Sequence, residues 1–275
     1  MFTLDCIVFY TGDIASYNTF LCLAEQLSDL GFEKYESSDP NILESYKNNN
    51  TVVINSKKDL LHSEYLDRFS FESIYLMSKH VSSKQLPAFT THATGNLTAK
   101  AEFGGKPFSL SKAAPIKMLS FLKELNKNKP STTITYEATH HGPLLKTPSL
   151  FVEFGGTEKE INKKENAAKM KNAILVSLDA EEFYKKVALG LGSGHYPSNF
   201  TRFALSKNYA FSHIIPAYAI SEYDEKTLNT IINDAILNSE PSPNVAVIDK
   251  KKLNISNRDI LIKILEEKGL EHELL

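Results

Sequence analysis

Short apolar runs of strand length alternate with segments of helical period along most of this chain, and no other feature restricts its fold as much. Leu4–Tyr10 is apolar and extended, and Thr11-Gly12-Asp13 is a turn that can start a helix. Over residues 15–30, Phe20, Leu23, Leu27 and Leu30 have helical spacing, with Gly31 as the stop. Residues 39–50 are polar and read as a loop. Residues 51–55, 73–77 and 86–91 read as strands, the last ending at His92. Pro115 suits the first position of a helix reaching Asn126, with Met118, Leu119, Leu122 and Leu125 as its buried stripe. Strands over 132–138 and 150–154 follow. Thr157-x-x-Glu160 has the form of a capping box, so a helix begins there and runs through the Lys/Asn/Ala-rich stretch. Residues 185–189 and 209–213 read as strands. Helix 225–237, strand 244–248, helix 256–268 and a short last strand complete the pattern.

This order predicts an α/β fold around a mixed, largely parallel sheet flanked by helices. The chain has 275 residues, 42% of them apolar, enough to bury one sizeable core. With no repeat and no linker rich in Pro, Gly or Ser, a single domain over 1–275 is expected. No run of roughly 18 apolar residues is present, which argues against a membrane-spanning helix. Residues 1–10 lack a basic region and read as a first strand rather than a signal peptide. Cys6 and Cys22 fall at a strand and a helix, which suits a reduced, cytoplasmic setting without membrane attachment. A net charge of −2 excludes a chain coated in positive charge, so a nucleic-acid partner would need a local basic patch. Arginines are few (Arg68, Arg202 and Arg258), and Arg202 stands just after a glycine-rich segment.

The chemistry-bearing groups recur where apolar runs end. Of the eight histidines, His92, His140, His141, His195 and His213 lie late in such a run or just after it. Open α/β sheets bind ligands outside the carboxyl ends of their strands, so the recurrence predicts a site on one carboxyl edge. Thr135-Tyr-Glu-Ala-Thr-His-His-Gly-Pro143 carries Glu137 beside two imidazoles. Along an extended strand Glu137, Thr139 and His141 share a face and His140 points away; if the strand stops at Ala138, both rings can reach one pocket. Glu137 then serves as a base or orienting group, and the histidines as metal ligands or proton carriers. A loop with exposed imidazoles is the plain alternative. Gly190-Leu-Gly-Ser-Gly-His195 offers amides that could receive an anion or a developing oxyanion, or is merely a turn. His92-Ala-Thr-Gly-Asn96 offers Thr94 and Asn96 as hydrogen-bonding groups. His213, between aliphatic residues, has the setting of a core histidine, and Gly155-Gly156 precedes a helix start that could favour an anion.

Taken together, Thr91-His-Ala-Thr-Gly-Asn96, Glu137-Ala-Thr-His-His-Gly-Pro143, the stretch from Thr147 to Glu158, Gly194-His-Tyr-Pro197 and Ser212-His-Ile-Ile-Pro216 resemble the D-aminoacyl-tRNA deacylases of archaea and plants. The match in order and spacing runs from the first strand to Asn257-Arg-Asp259. The resemblance implies a fold like the phosphorylase/peptidyl-tRNA hydrolase group, zinc as cofactor, and hydrolysis of the ester joining a D-amino acid to tRNA. It casts Glu137, His140, His141 and His195 as catalytic residues and His92, His141, His195 and His213 as zinc ligands. Thr94, Asn96, Gly192, Gly194 and Arg202 become substrate-binding residues: amides around Gly192 and Gly194 hold the oxyanion, and Arg202 with nearby lysines meets phosphates. A monomer acting on D-aminoacyl-tRNA, not DNA, is expected. A peptidyl-tRNA hydrolase, a zinc exopeptidase-like enzyme and a non-catalytic tRNA-binding module are the competing readings.

Overall fold

The computed structural model describes residues 4–128, 131–180 and 184–275. Strand β1 (Leu4–Tyr10) leads into helix α1 (Ile14–Ala24), followed by β2 (Glu33–Lys34), β3 (Ile42–Lys47), β4 (Thr51–Ser56), β5 (Phe71–Lys79) and β6 (Ala88–His92). The short strands β7 (Gly95–Asn96) and β8 (Ser109–Leu110) precede α2 (Pro115–Asn126), β9 (Thr133–Tyr136) and β10 (Ser149–Gly155). Next come α3 (Glu158–Ile161), α4 (Lys164–Leu178), β11 (Lys186–Ser193), α5 (Ser198–Lys207) and β12 (Tyr209–Pro216). The chain closes with α6 (Ala217–Ile220), α7 (Glu225–Leu237), β13 (Val245–Ile248), α8 (Ile255–Glu267) and β14 (Glu271–Leu274).

The mixed α/β reading holds, but the strands divide between two main sheets and a two-stranded ribbon of β7 and β8. One has eight strands in the order β2-β3-β4-β1-β5-β10-β6-β9, and the other has four in the order β12-β11-β13-β14. The second is parallel throughout. In the first, β4, β1, β5 and β10 run parallel, and their near-continuous apolar character follows from burial on both faces. One buried cluster takes Phe9 and Tyr75 from the large sheet and Val187, Phe211 and Val245 from the small one. No helix among the described residues is long and apolar enough to cross a membrane.

Several local expectations shift. Asp13 caps α1 by accepting from the Ser16 amide, but the helix stops at Ala24 and continues as tighter turns to Gly31, which has φ of +72°. The polar 39–50 segment is not a loop: it holds β3, antiparallel to β4 near the sheet edge. Only Ile42 and Ser45 of β3 are buried, so no alternating apolar face marks a strand whose backbone is nonetheless paired. Thr157 caps α3 as predicted, yet that helix lasts one turn and α4 starts afresh at Lys164. In α2 the stripe is Met118, Leu119, Phe121 and Leu122, with Leu125 only partly buried.

The seam between the sheets positions the site. Glu137 still donates its amide to Thr91 O in the large sheet. The next two amides, of Ala138 and Thr139, donate instead to His195 O and Ile214 O beside the small sheet. The strand therefore ends at Tyr136, and the residues after it cross from one sheet to the other.

Candidate active site

Glu137 is the hub of a buried cluster. Its side chain is 2% exposed, with Oε2 2.9 Å from His195 Nε2 and 3.7 Å from His140 Nε2. Its Oε1 lies 2.8 Å from His80 Nδ1, whose ring also stands 3.4 Å from Glu153 Oε2. Glu153 Oε1 in turn lies 3.7 Å from His92 Nε2. The rings of His92 and His140 are 4.1 Å apart between centres, and those of His140 and His141 4.3 Å apart. Of these groups, His80, Glu137, His140, His141, Glu153 and His195 line a cavity of about 540 Å³, with His92 behind them; its other walls include Tyr10, Asp13, Leu60, Leu61 and Phe103.

The electrostatics follow from this geometry. Burial alone would raise the Glu137 carboxyl, but hydrogen bonds from His195 and His80 and the nearby rings hold it well below the usual carboxylate range. Burial likewise opposes charge on His80, yet Glu137 and Glu153 outweigh it and push the ring up to about 9. Glu153 is kept low, against its burial, by its contacts with His80 and His92. Burial, reinforced by the neighbouring imidazoles, drives His140 well below its ordinary value and His141 to about 4. A buried, ionised carboxylate thus sits between the His80 ring, held charged, and the His140 and His141 rings, held neutral, an arrangement suited to moving protons near pH 7.

Both adjacent histidines enter the pocket, contrary to strict strand alternation. His141 adopts φ of +42°, and Gly142 fits only because it has no side chain: a Cβ there would stand 2.3 Å from the backbone of Gly104 and Gly105. The single carboxyl edge is also corrected. Strand β6 runs antiparallel to β10, and β9 is parallel to β6, so their ends point opposite to those of β1 and β5. The site forms where the ends of oppositely directed strands meet over Phe151 and Glu153 of β10.

Other predicted site residues have structural work. His213 is fully buried away from the cavity: Nε2 lies 2.9 Å from Asn238 O and 3.1 Å from Ser111 O, and Nδ1 contacts Thr139 Oγ1 at 3.1 Å. With both nitrogens occupied it is a core histidine and does not join the cluster. Thr94 donates to Ser111 Oγ, which donates to Pro143 O, bracing the turn after the histidines. Asn96 donates to Gly104 O and holds the loop carrying Phe103. Gly192 lies inside β11, where a Cβ would meet Leu253 and Asp249 O, and neither it nor Gly194 lines the cavity. Arg202 stands on α5 outside the cavity and donates to Asn199 Oδ1 at 2.6 Å. Sequence reading missed His80 and Glu153. His80 follows a strand that ends two residues later than expected, and a carboxylate amid Phe-Val-Glu-Phe is itself a signal of a buried partner.

Three groups of side chains among the described residues place donor atoms within 4.8 Å of one another: His92-His140-His141, Glu137-His140-His195 and His80-Glu137-Glu153. The first fits a metal best. Each of its rings directs Nδ1 at a backbone carbonyl: His92 at Ala93 O, His140 at Ala138 O and His141 at Gly142 O. That fixes Nε2 as the converging donor, the outer-contact pattern metal-binding histidines use. His92 Nε2 is buried without a hydrogen-bond partner.

A buried ionised carboxylate, imidazoles around it and a three-nitrogen cradle define a hydrolytic site of acid–base type with room for a metal. A model of the D-aminoacyl-tRNA deacylase family matches residues 67–273. The chain is 36% identical over 270 residues to the D-aminoacyl-tRNA deacylase of Pyrococcus abyssi, covering 94% of this chain and 95% of that one. It is 31% identical over 251 residues to that of Archaeoglobus fulgidus, covering 88% of each. The crystal structure of AF0625, a conserved protein of unknown function, superposes with a TM-score of 0.87 at 29% identity over 99% of this chain and 95% of the other. The chain belongs to the D-aminoacyl-tRNA deacylase family.

Proposed function

We propose that this chain is an enzyme that hydrolyses D-aminoacyl-tRNA at the ester between the amino acid and the terminal ribose. The observation that carries the chemistry is the Glu137–His195 pair: a buried, ionised carboxylate 2.9 Å from an imidazole at the cavity mouth. His195 takes a proton from water as it attacks the ester carbonyl, and Glu137 stabilises the imidazolium that forms. The ring then returns the proton to the departing ribose oxygen, releasing the free D-amino acid and tRNA with its hydroxyl restored. His80, held by Glu137 and Glu153, fixes the carboxylate from behind.

Zinc suits the cradle of His92, His140 and His141, where it would polarise the ester carbonyl and lower the pKa of a water. This set differs from the one expected from sequence: His140 replaces His213, and His195 is left free for proton transfer. His92 is raised by Glu153 against its burial, so metal binding displaces a proton and weakens at acid pH. A cytoplasmic setting, where translation takes place, accords with this substrate. The family match favours this reading over a peptidyl-tRNA hydrolase, an exopeptidase or a passive tRNA-binding module.

The test is hydrolysis of matched D- and L-aminoacyl-tRNAs by the wild type and by His195→Ala, with and without chelator. The reading expects D-selective turnover that falls by at least about a hundredfold in the variant. Equal rates for the wild type and His195→Ala on the D-substrate would remove His195 from the chemistry.

A further inference from the structure

A second groove, about 520 Å³, adjoins the catalytic cavity between the 82–88 segment, β9 and α5. The two spaces meet at His80, which lines both. Tyr196 stands at their junction: its ring packs edge-on against His195 at 4.9 Å and against His80 at 5.6 Å, and its hydroxyl is 3.4 Å from His80 Nε2. Tyr196 is nevertheless 46% exposed, and Leu86, which also lines the groove, is 59% exposed.

Charge divides sharply between the spaces. The catalytic cavity is lined by Asp13, Asp59, Glu137 and Glu153 with one lysine, Lys79. Among the described residues the groove has no carboxylate and has two cations, Lys84 and Arg202. Arg202 donates only to the neutral Asn199, and neither cation has a carboxylate partner among the described residues.

Resting on the deacylase reading, we propose that this groove holds the terminal adenosine of tRNA with its 5′-phosphate. The ester then lies across the junction. The reacting carbon is bonded to the ribose oxygen, so the base and phosphate must lie within one nucleotide of His195, and the groove is the space at that distance with matching charge. Tyr196 and Leu86 supply the faces on which a base stacks. Lys84 and Arg202 meet the phosphate, which the acidic cavity repels. The aminoacyl half, cationic at its amine, takes the acidic cavity, with its side chain against Leu60, Leu61 and Phe103. Arg202 thus keeps the substrate-binding role expected from sequence, through this neighbouring groove.

The experiment titrates AMP into the wild type, Leu86→Glu and Arg202→Glu by calorimetry and measures KM for D-aminoacyl-tRNA in each. AMP is expected to bind the wild type and compete with the tRNA substrate. Both substitutions should weaken AMP binding and raise KM tenfold or more, with a smaller change in kcat. Circular dichroism checks that each variant is folded, and Arg202→Glu carries the test alone should Leu86→Glu misfold. No AMP binding at millimolar concentration, binding that does not compete, or wild-type KM in the folded variants overturns the assignment. A wild type that binds AMP, releases it to uncharged tRNA and does not hydrolyse D-aminoacyl-tRNA keeps the groove and removes the deacylase reading instead.

Discussion

Replacing Glu137 by glutamine exchanges one carboxylate oxygen for an amide nitrogen and keeps the side chain's size. In the wild type one oxygen accepts from His195 at 2.9 Å while the other faces His80 at 2.8 Å. An amide has one acceptor oxygen and one donor nitrogen, so it cannot serve both rings as the carboxylate does. It also carries no charge to stabilise an imidazolium. A positioned acid–base group contributes about 10²–10⁴ in rate, and loss of an orienting carboxylate behind a catalytic histidine costs about 10⁴ in the serine-protease triad. We therefore expect kcat/KM to fall by about 10³, equal to about 4 kcal/mol of lost transition-state stabilisation. Breaking a buried ion pair also destabilises by about 3–5 kcal/mol, so the melting curve must be recorded to show that the assayed protein is folded. The assay is single-turnover release of the D-amino acid from tRNA with enzyme in excess but below saturation, where the rate per enzyme concentration gives kcat/KM. A folded Glu137→Gln variant within about tenfold of the wild type would refute the carboxylate–imidazole mechanism.

Metal content separates the two buried histidines that sequence reading placed together. Untagged wild type is expected to carry about one zinc per chain, His92→Ala to lose it, and His213→Ala to keep it while losing about 2–4 kcal/mol of stability in urea; equal metal loss in both variants would contradict the cradle. Gly104 has φ of +77°, and a Cβ there would stand 2.0 Å from Leu61 O. Gly104→Ala should therefore cost at least about 2 kcal/mol and, by shifting the 64%-exposed Phe103 at the cavity rim, lower kcat/KM; a variant with wild-type melting and kinetics would show that the loop tolerates the strain.

Much of the fold is legible in the residues because burial and period are local. The apolar runs that became β1, β5 and β10, the Pro115 start of α2, and the Asp13 and Thr157 caps each state their structure within a few positions. Strand β3 was illegible, because it is held by backbone pairing to β2 and β4 while only Ile42 and Ser45 of its side chains are buried. The site divides in the same way. Glu137, His140, His141 and His195 announce themselves as histidines and a carboxylate beside strand ends. Strand direction does not appear in sequence, so nothing local revealed that β6 and β9 run against β1 and β5, or that His80 and Glu153 therefore close on Glu137.

By itself, then, the sequence determined the mixed α/β class, the positions of most elements and the chemical types gathered at the site, since these follow from propensity, periodicity and residue identity. Tertiary structure alone decided that there are two main sheets, that the chain crosses between them at Ala138, and that His213 satisfies the core while His140 turns inward. The physical reason is hydrogen-bond accounting. Once the amides of Ala138 and Thr139 are taken by the second sheet, strand alternation ends at Tyr136 and both imidazoles are free to face one cavity.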